Sequence, residues 1–111
     1  MPVDAEQIDP GVMRTAASRA AGLLKALANP DRLMLLCQLT QGEHCVSQLE
    51  RKVGIMQPTL SQQLTVLREE QLVTTRREGK QIFYSLASQE ATAILKVLYQ
   101  FYCVEVKGKK S

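Results

Sequence analysis

The chain is 111 residues long, 45% hydrophobic and 23% charged, with 14 Lys and Arg against 11 Asp and Glu for a net charge of +3. That is one domain's worth of an ordinary soluble protein, small for a large self-sufficient core, and no apolar run approaches the length needed to cross a bilayer, so no membrane partner is expected. The opening MPVDAEQID is acidic and lacks an apolar stretch, which argues against a secretory signal and makes the cytoplasm the expected location.

No repeat, low-complexity tract or linker interrupts the chain, so residues 1–111 are expected to form a single domain with flexible ends at about residues 1–10 and 105–111. Met13, Ala16, Ala17, Ala20, Leu23, Leu24 and Leu27 fall at helical spacing and predict a first amphipathic helix from Met13 to Ala28, whose alanines permit close packing. Asn29-Pro30-Asp31 is a boundary: Asn29 is a cap, Pro30 opens the next helix, and Asp31 suits the positive end of its dipole. The second helix is expected to run to about Gln41, with Leu33, Leu36 and Cys37 on one face and Gly42 ending it, and to form the buried centre.

Val46, Leu49 and Val53 recur at three- and four-residue intervals, predicting a short third helix that Gly54 ends. Then comes QPTLSQQL. Leu60, Leu64 and Leu67 mark the apolar face of a fourth helix, while Thr59, Ser61, Gln62 and Gln63 project elsewhere; Pro58 fits the first turn and pushes Gln57 toward an extended conformation. Uncharged amides and hydroxyls both donate and accept at base edges and also bond phosphate oxygens, as a DNA-reading helix requires. Two short helices joined by a Gly-containing turn are the order of a helix-turn-helix.

Past Leu72, VTTRR and QIFYSL are β-favouring runs separated by EGK, a hairpin whose tip gathers Arg76, Arg77 and Lys80 around Gly79 with Glu78 opposing them. Ser88 caps a last helix from Gln89 to about Cys103 that is apolar most of the way round. So apolar a helix in so short a chain calls for a partner. The expected fold is therefore mainly α with a small β-hairpin, a winged helix-turn-helix in the order α-α-α-α-β-β-α, dimerising through its first and last helices. A two-fold dimer would present two reading helices to successive major grooves of double-stranded, pseudo-palindromic operator DNA. An enzyme is not expected, since no nucleophile–base arrangement is visible and there is a single histidine, and no cofactor is implied.

LKALANPDRLMLL, QPTLSQQLTVLRE and GKQIFYSL, in that order, resemble the signatures of the ArsR/SmtB family of winged-helix repressors over nearly the whole chain. The resemblance implies a homodimeric repressor that leaves its operator when an inducer binds. It assigns base and phosphate contacts to Gln57, Thr59, Ser61 and Gln62, with Arg77 and Lys80 supporting from the wing.

The cysteines bear on the inducer. Three of them, Cys37, Cys45 and Cys103, are an odd number in a chain expected to be cytoplasmic, so a disulfide framework is not expected, and a single histidine without a CxxC pair gives a zinc site little support. GEHCVSQL is similar to the third-helix metal motif of arsenic- and cadmium-responsive members but has Ser47 where the second cysteine stands. The last helix lacks the histidines of zinc-responsive members. Cys37 on the second helix and Cys103 at the end of the last are placed as in the BigR/SqrR/HlyU branch, whose resemblance implies redox sensing of reactive sulfur species or oxidant through these two thiols. The alternative is a metal- or arsenic-responsive repressor using Cys45. Local chemistry favours Cys45, near a helix start where a dipole lowers a thiol pKa, over Cys37 on an apolar face. His44 is expected to be an exposed polar residue.

Overall fold

In the computed structural model, which describes residues 9–103, the elements run α1 (Pro10–Leu27), α2 (Pro30–Leu39), β1 (His44–Cys45), α3 (Val46–Val53), α4 (Thr59–Glu69), β2 (Val73–Glu78), β3 (Gln81–Leu86) and α5 (Gln89–Leu98), the last continuing as a π-helical turn over Tyr99–Cys103. This is the winged helix-turn-helix order with one added strand.

α1 starts three residues earlier than the apolar spacing predicts, because Asp9 accepts the backbone N–H groups of Gly11 and Val12 at 2.9 and 3.1 Å and Pro10 occupies the first turn. Asp9 and Pro10 thus belong to a capped helix rather than to a flexible end. The remainder of both expected ends, with Lys107, Lys109 and Lys110, lies outside the described residues. α2 opens as expected, Asn29 accepting the Arg32 N–H at 3.0 Å, but stops at Leu39. Its end tightens into three-residue bonds, Gln41 N–H to the Gln38 carbonyl and Gly42 N–H to that of Leu39, and Gly42 at φ 128° turns the chain away.

The turn delivers His44 and Cys45 to the edge of β3, where they pair with Tyr84 and Phe83, giving an antiparallel sheet of order β1-β3-β2. Two residues are too short to show a period in sequence. The pairing buries His44, which corrects the expectation of an exposed side chain: it is 5% exposed. Its Nδ1 lies 2.8 Å from the Gly42 carbonyl, an acceptor, so Nδ1 carries the proton and Nε2 accepts from the Gln38 amide at 3.2 Å. Both ring nitrogens are thereby used within the fold.

α2 supplies Leu35, Leu36 and Leu39 to a core shared with Leu49 of α3, Leu60, Leu64 and Leu67 of α4, Leu72 and Val73 at the start of the wing, and Ala91 and Leu95 of α5. Each buried leucine stabilises the protomer by roughly 1.5–3 kcal/mol. The dimension that matters is outside this core. α1 buries only Ala26 and Leu27, at its last turn, leaving Val12, Met13 and Leu24 exposed, and α5 with its π turn exposes Val97, Tyr99, Phe101 and Tyr102. The radius of gyration, 16.5 Å, exceeds the ~13 Å of a compact domain of this length.

Candidate DNA interface and thiol pair

α3 ends at Gly54, whose φ of 73° is left-handed, and its N–H closes the helix on the Glu50 carbonyl. Ile55 dips into the core, and Met56, Gln57 and Pro58 run exposed to the start of α4. On α4, Leu60, Leu64 and Leu67 are 0%, 2% and 0% exposed, so the helix is held by the face the spacing selects. Ser61 and Gln62 are exposed on the other side, and Thr59 is half-buried.

Gln57 does more than project. Pro58 occupies the cap position, one residue ahead of the helix, and has no side-chain acceptor for it. Gln57 Oε1 does this work, accepting the Ser61 N–H at 3.2 Å and the Ser61 hydroxyl at 2.7 Å, while Thr65 Oγ1 donates to the Ser61 carbonyl at 2.9 Å. Among the described residues the Gln57 amide N–H₂ has no partner. Two of the expected contact residues are therefore held together by a hydrogen bond before any ligand arrives, and Met56, next in the chain before Gln57, is 63% exposed. That exposure was not legible, because a methionine next to a helix ordinarily signals core.

The wing carries Arg77 and Lys80 exposed, with Gly79 at φ 63° making the two-residue turn between Glu78 and Gln81. Arg76 is employed otherwise. Its Nε and Nη2 both reach the Glu43 carboxylate at 2.8 Å, Nη1 reaches Glu78 at 3.1 Å, and the guanidinium lies 4.8 Å from the centre of the Phe83 ring. The basic hairpin tip expected from sequence is thus divided: Arg76 clasps the wing to the α2–β1 turn, and Arg77 and Lys80 make no ion pair among the described residues. The hydrogen bond from Arg76 is the main reason the Glu43 carboxyl titrates below its ordinary range.

The thiols differ. Cys37 is half-buried beside the core and Cys103 is exposed at the end of the π turn. Burial, and secondly the charge of Cys103, raise the pKa of Cys37. A π turn carries Cys103 around the axis to a different angle from the one a continued α-helix would give it. Cys45 is buried at the start of α3, and the Ser47 hydroxyl 3.3 Å from its sulfur, followed by the Gln48 backbone N–H, lowers its pKa. That is the direction expected of a helix start, but Cys45 stands apart: among the described residues, no group of three or more His, Cys, Asp and Glu is gathered to hold a metal ion. Among the described residues no helix is long and apolar enough to cross a membrane.

Residues 29–75, from the α2 cap to the middle of β2, match the family described as bacterial regulatory protein, arsR family. The chain is 53% identical to a biofilm growth-associated repressor of Agrobacterium fabrum over 92% of its own length and 87% of the relative's. The fold superposes on the crystal structure of the transcriptional repressor BigR from Xylella fastidiosa with a TM-score of 0.78 at 49% identity, covering 86% of this chain and 98% of that one. Reduced HlyU from Vibrio cholerae gives the same TM-score, 0.78, at 41% identity over 82% of this chain and 96% of that one.

Proposed function

The chain belongs to the arsR family of bacterial regulatory proteins, and on that premise we propose that it is a homodimeric repressor of double-stranded operator DNA whose grip is controlled by a dithiol, Cys37 and Cys103, that reactive sulfur species or oxidant bridges. Gln57, Thr59, Ser61 and Gln62 contact bases and phosphates, and Arg77 and Lys80 contact phosphates from the wing. The apolar surfaces of α1 and α5 bury against a second copy, which supports the dimer. The single observation that carries the sensing role is the placement of two free thiols, Cys37 half-buried on α2 and Cys103 exposed where the π turn ends α5.

The chemistry follows from their exposure. Cys103 meets the reagent first: its thiolate attacks a sulfur of a hydropolysulfide, the S–S bond breaks, and hydrosulfide or a shorter hydropolysulfide leaves with the electron pair. The Cys37 thiolate then attacks the sulfur chain on Cys103, expelling a second such anion and closing the bridge. The two cysteines are oxidised and the polysulfide is reduced. Attack on the Cys103 sulfur itself makes a plain disulfide, which requires Cα atoms within about 7 Å; attack further along retains extra sulfur and relaxes that limit.

The test is mass spectrometry of the protein treated with inorganic polysulfide, paired with binding to a duplex selected from a random-sequence pool by the reduced protein. A Cys37–Cys103 crosslinked peptide and release of the duplex are expected. Absence of that peptide, or normal release by Cys103→Ser, refutes the sensing role; failure of the reduced protein to select a palindromic duplex at low salt refutes the repressor itself.

A further inference from the structure

Arg32, in the first turn of α2, reaches two other helices at once. Its Nε donates to the Ala26 carbonyl at 2.6 Å and its Nη2 to the Lys25 carbonyl at 3.3 Å, both at the end of α1, while Nη1 donates to Oε1 of Gln63 on α4 at 2.9 Å. The last carbonyls of a helix have few partners of their own and carry its negative dipole end, so a cation there is well placed. The guanidinium is a planar fork, and bonds from three of its N–H groups fix its orientation as well as its position. Both Arg32 and Gln63 are half-buried, which shields their bond from competition by water.

Gln63 is the one polar side chain of α4 tied to another helix by a hydrogen bond among the described residues. The rest of the helix is held by Leu60, Leu64 and Leu67, which select the buried face, and the hydrogen bond adds a directional contact to that packing. Gln63 follows Ser61 and Gln62 directly, so whatever fixes Gln63 fixes the angle at which they are presented.

We propose that Arg32 is a positioning residue that latches Gln63 to the end of α1 and so sets the roll of the reading helix relative to the dimerising helix. This rests on α4 being the element that reads DNA. The alternative occupations of the same residues make different forecasts. If Arg32 only caps α1, its loss lowers stability and leaves operator affinity alone. If Gln63 instead touches DNA, a negative charge there is worse than no side chain at all.

Four variants in the reduced, full-length protein separate these, read by affinity for the selected duplex at several salt concentrations and by thermal melting. Gln63→Ala keeps both α1 bonds and loses one charge-assisted hydrogen bond, so it should melt a few degrees below the parent and bind about tenfold more weakly, the helix being no longer held at one roll. Gln63→Glu keeps an acceptor for Arg32 and should bind more tightly than Gln63→Ala. Arg32→Lys should match Gln63→Ala in affinity, and the Arg32→Lys/Gln63→Ala pair should be no weaker than either alone. The salt slope should be unchanged throughout, since no phosphate contact is lost. Parental affinity in Gln63→Ala, weaker binding by Gln63→Glu than by Gln63→Ala, or additive losses in the pair would each overturn the latch. Should Ser61→Ala and Gln62→Ala both bind as the parent does, the assignment of α4 as the reader falls and the latch with it.

Discussion

Gln57 caps the reading helix and is also assigned to DNA, and two substitutions at this one position separate the roles. Gln57→Ala removes the acceptor for the Ser61 N–H and hydroxyl. Loss of a cap of this kind costs about 1 kcal/mol, which in a domain of this size lowers Tm by about 4 °C. Gln57→Glu retains an acceptor of the same length and adds a negative charge at the positive end of α4, worth up to about 1 kcal/mol in the favourable direction. It should melt at or above the parent temperature. The order of DNA affinities is different. Alanine loses the amide donor, which contributes about 1 kcal/mol as a single hydrogen bond to a base edge or phosphate. Glutamate loses that donor and also sets a carboxylate among phosphates, so it should bind at least as weakly as alanine. The expected signature is therefore crossed, with the stabler variant no better at binding. Thermal melts at fixed protomer concentration, necessary because a dimer's Tm depends on it, and fluorescence anisotropy with the selected duplex supply the two readouts. If Gln57→Glu melts as low as Gln57→Ala, the cap is not what the side chain contributes; if both bind as the parent does, Gln57 is no contact.

On the wing, Arg77→Ala and Lys80→Ala should each weaken binding to all sequences alike and reduce the slope of log affinity against log salt by about 0.9, measured by anisotropy over a salt series. Glu43 forecasts an acid-labile clasp. Its folded pKa is depressed, so its contribution is complete above the ordinary carboxylate range and is lost as pH falls through the lowered folded value. Hydrogen exchange across β2 and β3 should accelerate in that acid window in the parent, and Glu43→Gln, already lacking the charge, should show no such step; equal steps in both would refute it. Leu60→Ala, at a fully buried position, should cost about 3 kcal/mol in chemical denaturation. A loss under 1 kcal/mol would mean α4 is not packed as described.

What could be read from the chain was whatever repeats with a period or is capped by a neighbour. The leucines of α4 announce its buried face, Gly54 and the Asn29-Pro30 pair announce helix ends, and the EGK turn announces the hairpin. Partners distant in sequence were not legible. Nothing in local pattern links Glu43 to Arg76, 33 residues away, or Arg32 to Gln63, 31 residues away. Arg76 reads as a cation of the hairpin tip and Gln63 as part of a polar face, while Arg32 and Glu43 carry no periodic or capping signal, because only the folded chain brings these partners together. His44 failed for a related reason: a two-residue strand is recruited by the edge of β3, not by its own composition. Gln57 was recognised as a polar residue at the right place, but its capping role depends on Pro58 leaving the position before α4 without an acceptor.

The placement of the two thiols bears on which helix a bridge would move. α2, which carries Cys37, packs against α1, α3, α4 and β3 and buries three leucines with 0–3% exposure. The segment carrying Cys103 has far less to hold it: the π turn is fixed chiefly to α5 itself, and Tyr99, Phe101 and Tyr102 are exposed around it. Displacing α2 would open a close-packed core at a cost of several kcal/mol, on the order of one leucine deletion per side chain disturbed. Turning the end of α5 disturbs no buried side chain of its own. The proposed bridge would therefore draw the α5 end toward α2 and leave α2 in place. Since the apolar face so reoriented is the one available to a second copy, the proposed bridge acts on the spacing between subunits, while the latch from α1 through Arg32 keeps each reading helix in register with its own protomer. Two half-sites one turn of DNA apart tolerate little change in that spacing, so a rigid protomer with a movable edge would suffice for the proposed release.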